Sequence, residues 1–141
     1  MVIQRWQTVM LILAVCLMAA FCTSSYGLQY SASDPMSSTP LLVSQSPLYL
    51  VANLIIAIIL FVTVFLYKNL KLQMKMTILS AVLICLSGVF CGWMVYGGNP
   101  DSTVRLTGGI FLLMGAFICS LMAYNFMRKD HKLLTSYDRL R

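Results

Sequence analysis

The sequence predicts an all-α fold: an integral membrane four-helix bundle in one domain spanning residues 1–141. Three observations carry that prediction. Hydrophobic residues make up 60% of the chain and charged residues only 10%, against about 25% charged in a typical soluble domain. The apolar residues are gathered into four runs, each long enough to cross about 30 Å of hydrocarbon at 1.5 Å per residue. The charges lie between and beyond those runs, and a water-soluble helix bundle of this size could not cover its outer faces with so few. The bilayer is therefore the expected solvent.

The first span runs from about Trp6 to Tyr26. No charge separates Arg5 from Asp34, and Val9 to Val15 is apolar on every side. The rival reading is a cleaved signal peptide. The apolar run exceeds the usual 7–15-residue signal core, and Phe21 occupies the place before Cys22 where a lipoprotein signal needs a small residue. A retained span is the expectation. Residues 27–47 are rich in Ser, Thr and Pro and predict an irregular outer loop, with room for a short membrane-skimming segment at Leu41-Leu42-Val43.

Pro47 suits the first turn of a second helix, where its missing N–H costs nothing. That span covers residues 48–67. A connector over 68–75, with Lys68, Lys71 and Lys75, is short enough to make spans two and three antiparallel neighbours. Span three covers residues 76–96 and stops at the turn signal Gly97-Gly98-Asn99-Pro100. The second outer loop covers 97–105. Span four runs over 106–127, and residues 128–141 form a polar tail.

Charge sets the orientation. With the N-terminus, connector and tail on one side, that side holds nine of the ten lysines and arginines, and only Arg105 falls on the other. Positive residues favour the cytoplasmic side, so the N- and C-termini are expected to be cytoplasmic. Aromatic residues at span ends agree: Trp6, Tyr67 and Tyr124 at one level, Tyr26, Tyr49, Trp93 and Tyr96 at the other. Such rings favour the headgroup layer.

The interiors of the spans contain no Asp, Glu, Lys, Arg or His. Buried ionisable groups mark proton relays, ion paths and intramembrane catalysis, so no catalytic, metal or cofactor site is expected. The single histidine, His131, cannot supply a bis-His haem site within one chain. Cys16, Cys22, Cys85, Cys91 and Cys119 form no CxxC pair and lie in or at the edge of apolar runs, where thiols act as small hydrophobes. The basic residues gather at span ends, which fits lipid headgroups rather than nucleic acid.

Two further patterns bear on function. Gly88 and Gly92 form a GxxxG in span three, and Gly109, Ala116, Ser120 and Ala123 lie near one stripe of span four. Small faces allow close helix packing, within the bundle or between copies. Asn53, well inside span two, is expected to serve as an interhelical hydrogen-bond partner. In the tail, Leu133, Leu134, Tyr137 and Leu140 recur at helical spacing among Lys132, Arg139 and Arg141. That pattern suits either a basic helix on the inner leaflet or a docking site for a partner.

The two ends carry a resemblance. Ile3-Gln4-Arg5-Trp6-Gln7 entering an apolar run, and Arg128-Lys129-Asp130 followed by Lys132-Leu133, Ser136 and Asp138-Arg139-Leu140-Arg141, resemble the opening and closing of a Bacteroidota membrane family of unknown function, DUF4293. The four-span layout fits along the whole chain. Val2 shifts the opening by one residue, and His131 stands where an acidic residue is expected. The resemblance implies a small multi-pass protein of the bacterial inner membrane and brings no catalytic residues.

The expected function is a non-enzymatic accessory or scaffold subunit contacting another protein through Gln4, Arg5, Arg128, Lys129, Asp130, Lys132, Ser136, Asp138, Arg139 and Arg141. The alternative is a small oligomeric transporter or channel packed through Gly88 and Gly92.

Overall fold

The computed structural model describes residues 2–30, 38–97 and 103–138, with side chains over 6–30, 38–97 and 105–136. In chain order the elements are α1 (Val2–Thr23), β1 (Ser25–Tyr30), β2 (Ser38–Leu42), a 3-10 turn (Val43–Gln45), α2 (Pro47–Phe65), a second 3-10 turn (Leu66–Lys68), α3 (Leu70–Tyr96), β3 (Thr103–Leu106) and α4 (Gly109–Asp138). All four helices are long and apolar enough to cross a membrane. They form a ring in which α1 packs against α2 and α4, and α3 packs against the same two neighbours. The α1–α4 contact is the most extensive.

Each helix buries essentially one line of residues. On α1 the line is Gln7, Leu11, Ala14, Met18 and Phe21; on α2 it is Tyr49, Asn53, Ile56, Leu60 and Thr63. On α3 it runs Gln73, Thr77, Ser80, Ile84, Ser87 and Cys91, joined by Ala81 and Val95. On α4 it runs Gly109, Leu113, Ala116, Ser120, Ala123 and Met127. The alternating steps of four and three are those of helices packed knobs-into-holes around a common axis. Large apolar side chains such as Ile58, Phe61, Val89 and Phe111 point outward instead, where hydrocarbon is the solvent. The bundle is therefore apolar outside and partly polar within.

Small residues set the helix separations. A methyl group at Gly115 would come within 3.3 Å of Leu17 Cδ1, and one at Gly88 within 3.4 Å of Leu113 Cδ2. At Gly109 the approach is closer still: an added Cβ would collide with the Ser25 carbonyl and the Ser24 hydroxyl. Gly92 has no atom in front of it within 4 Å.

The outer loops differ from the expectation of irregular chain. Their described parts form a three-stranded antiparallel sheet in the order β2-β1-β3. Gln29 pairs with Thr39 on one side and Val104 on the other, and a register shift lies between Ser25 and Gly27. The alternating, aromatic-containing run Ser25-Tyr26-Gly27-Leu28-Gln29-Tyr30 suits a strand, although serine and proline dominate the flanking composition. Leu41 and Leu42, both half-buried, belong to β2, and Val43, which opens the 3-10 turn, is fully buried. Two backbone bonds fasten the sheet to the bundle: Val43 N–H to the Ser24 carbonyl at 3.3 Å, and Thr107 N–H to the Tyr26 carbonyl at 3.2 Å.

Two more corrections concern span boundaries and aromatics. Helix α3 begins at Leu70 rather than Met76. The intervening Lys, Leu, Gln and Met residues are good helix formers, and Gln73 enters the core. Trp6, Tyr67, Trp93 and Tyr96 are exposed at span ends, but Tyr26 and Tyr49 are only 7% and 4% exposed. They face the bundle axis rather than headgroups, because Phe21, Tyr26 and Phe90 surround the Tyr49 ring at centroid distances of 6.3, 6.0 and 5.3 Å.

These contacts separate the glycines by consequence. Gly109→Ala is expected to lower unfolding stability by about 2 kcal/mol or more, whereas Gly92→Ala should change it by less than about 0.5 kcal/mol. Thermal unfolding in detergent of the two variants beside the parent checks this.

Candidate functional site

The basic end of the bundle carries the α2–α3 connection, the start of α1 and the last turns of α4. Its dominant feature is α4 itself. Met127 is the last fully buried residue of that helix, and the helix then continues without interruption to Asp138. Those eleven further residues (138 minus 127) extend about 16 Å at 1.5 Å per residue. The tail is thus the continuation of α4 rather than a separate surface helix.

Arg128, Lys129, Lys132 and Ser136 are exposed along this extension, and Asp130 is half-buried. Asn125, Arg128, Lys129, Lys132 and Ser136 help line one shallow cleft of about 950 Å³. The steps from Asn125 to Arg128, Lys129 and Lys132 are three, four and seven, which places them on one helix face. The Ser136 hydroxyl donates to the Leu133 carbonyl at 2.7 Å, and Thr135 donates to the His131 carbonyl at 2.7 Å. Leu133 and Leu134 are 49% and 55% exposed. The extension therefore combines cations that attract acidic groups with apolar side chains that lack cover among the described residues. Among the predicted contact residues, the side chains of Gln4, Arg5 and Asp138 and all of Arg139 and Arg141 lie outside the described residues.

The predicted packing residues divide between interior and surface. Ala116 and Ser120 are fully buried on the α4 line, with the Ser120 hydroxyl donating to the Phe117 carbonyl at 2.7 Å. Gly88 faces Leu113, and Gly109 abuts the first residues of β1. Cys22 and Cys91 are buried, Cys119 is half-buried, and Cys16 and Cys85 face outward; all five are free.

A second polar system lies inside the bundle. Near the sheet end the Ser87 hydroxyl donates to Asn53 Oδ1 at 2.7 Å, bridging α3 and α2. Asn53 Nδ2 donates to the Tyr49 carbonyl at 2.9 Å, and the Tyr49 hydroxyl donates to the Ser87 carbonyl at 3.1 Å. Asn53 is thus the interhelical link its position suggested. Near the basic end Gln73 Nε2 donates to the Thr63 carbonyl at 3.1 Å, Thr77 donates to the Gln73 carbonyl at 2.9 Å, and Ser80 donates to the Thr77 carbonyl at 2.8 Å. Gln7 joins this layer from α1, fully enclosed. Gln7 and Gln73 were not among the sequence candidates. A signal was present for Gln7, which sits one helical step before Leu11, the first apolar buried position of its line, whereas Gln73 opens a line that continues with Thr77 and Ser80.

Among the described residues no three His, Cys, Asp or Glu side chains gather as a metal-binding group. The family described as "Domain of unknown function (DUF4293)" matches residues 3–140, so the chain belongs to that family. No curated protein and no solved structure matches it.

Accessibility labelling tests the division between bundle and extension. In a cysteine-free background, single cysteines at Arg128, Lys132 and Thr135 should react rapidly with a membrane-impermeant maleimide in opened vesicles. Cysteines at Ala123 and Met127 should react at least about tenfold more slowly, because both positions are closed off by neighbouring helices.

Proposed function

We propose that this DUF4293 member is a non-enzymatic accessory or scaffold protein of the bacterial inner membrane that docks a protein partner on the basic extension of α4. The supporting observation is the extension itself: an uninterrupted helix leaving the bundle with Arg128, Lys129, Lys132, Leu133 and Leu134 exposed. A helix that presents cations and apolar side chains together suits a partner surface with an apolar groove and an acidic rim. The nine-to-one distribution of Lys and Arg supports cytoplasmic termini and, with them, a cytoplasmic docking surface.

The oligomeric transporter or channel has less support. Gly88, one half of the small-residue face assigned to oligomer contact, packs on Leu113 of the same chain, leaving Gly92 as the open position.

Affinity purification in mild detergent tests the proposal. The full chain, a version ending at Met127 and a full-length Arg128→Glu/Lys132→Glu variant are compared, with co-purifying proteins identified by mass spectrometry. A partner that accompanies the full chain and falls at least about tenfold with both variants is the expected result. Equal recovery from all three versions, or no partner with any of them while all remain folded, would overturn the docking assignment.

A further inference from the structure

A groove of about 670 Å³ lies between α2 and α3, in the half of the bundle nearer the sheet. It extends from Leu48 to Ile56 on α2 and from Leu83 to Trp93 on α3, a length of about 12–15 Å at 1.5 Å per residue. Exposed apolar side chains form its walls, among them Leu48, Ile55, Val89 and Trp93. The groove therefore opens to the surroundings of the bundle rather than to its axis. Its buried lining is Tyr49, Ile56 and Ser87. Of the four neighbouring helix pairs in the ring, α2 and α3 have the least extensive contact, and the small side chain of Ala52 leaves the wall on α2 low.

The polar groups in the lining already have partners. The Ser87 hydroxyl donates to Asn53 Oδ1 at 2.7 Å, and the Tyr49 hydroxyl donates to the Ser87 carbonyl at 3.1 Å. Nothing in the groove calls for a hydrogen bond from an occupant. At this depth there is no bulk water to fill a concavity, and an empty one would forfeit dispersion contacts along both walls. The occupant that fits is hydrocarbon.

Length and position select the source of that hydrocarbon. One leaflet supplies half of a core about 30 Å thick, or about 15 Å, which is the length of the groove. Its upper end lies at Leu48 and Trp93, beside the sheet-end termini of α2 at Pro47 and of α3 at Tyr96. An exposed tryptophan there suits the headgroup level. A second helix packed in the groove would continue toward the basic end, but the groove stops at Ile56 and Leu83. Beyond them Gln73 Nε2 donates to the Thr63 carbonyl at 3.1 Å and holds α2 and α3 together. Gly92, the small position open to another helix, is not among the lining residues.

We propose that the α2–α3 groove holds one acyl chain of a bilayer phospholipid, inserted from the leaflet at the sheet end with its headgroup level with Trp93. The chain completes the packing over the Tyr49–Ser87–Asn53 bridge. The site lies at the opposite end of the bundle from the projecting part of α4 and stands whether or not that extension docks a partner.

Native mass spectrometry of the full chain, freed of lipid in a mild detergent and titrated with phosphatidylcholine, tests the proposal. This lipid carries no net charge, so the basic extension gives it no electrostatic advantage. The parent should bind it saturably at about one lipid per chain. Ala52→Phe and Val89→Phe fill the groove from its two walls, and each should weaken binding at least about fivefold. Val51→Phe, on the adjacent outward position, and Arg128→Gln, on the extension, should bind as the parent does. Binding in the parent that never saturates, or that is absent, would overturn the proposal, as would undiminished binding in both filled variants. A lipid-free dimer that both filled variants split would also overturn it and give the groove to a second copy. The titration of the parent decides even if a variant fails to fold.

Discussion

The structure depends on how polar groups are matched inside a bundle whose surroundings offer them nothing. In hydrocarbon a buried N–H, hydroxyl or amide must find its partner within the protein. Here the matching is done along one line per helix. The bridge from the Ser87 hydroxyl to Asn53, closed by the Tyr49 hydroxyl, ties α2 to α3 just below the sheet. The Gln73–Thr63 bond ties the same two helices at the opposite end. Between these fixed points the contacts are apolar or small, and the helices approach as closely as Gly88, Gly115 and Gly109 allow.

This division explains what could be read from the sequence. Helix number and approximate span position follow from hydropathy, because the outward faces are uniformly apolar. The same uniformity hides which side of each helix faces inward. On α3 the inward line is Gln73, Thr77, Ser80 and Ser87, more polar than the lipid-facing side, so the usual rule of apolar side inward points the wrong way. Tyr49 misleads for a related reason. An aromatic with a hydroxyl near a span end reads as a headgroup anchor, yet its hydroxyl is satisfied by Ser87 and its ring by Phe21, Tyr26 and Phe90. The sheet was concealed differently: β1 is a six-residue strand among serines and prolines, and its partners lie 8 to 17 residues away in β2 and more than seventy away in β3.

The two ends of the molecule are consequently unlike. The sheet end is stapled, with β1 bonded to both other strands and Gly109 pressed against its first residue. The basic end carries the projecting helix. The legible part of the candidate site was its charge, read from Arg128, Lys129 and Lys132. The illegible part was the inward-facing neighbour of that charge. Asp130 follows the exposed Lys129 in sequence, and only the packing of the helices encloses one of its carboxylate oxygens.

The bridge between α2 and α3 is the feature on which this description rests, and a double-mutant cycle measures it directly. Asn53→Ala, Ser87→Ala and the double variant are unfolded reversibly in a bilayer or bicelle, and the coupling energy is taken from the four stabilities. A bonded pair within a membrane protein should give coupling of about 0.6–1.7 kcal/mol. If the two substitutions add to within about 0.3 kcal/mol, the side chains do not support one another. The polar line would then not be what aligns α2 with α3.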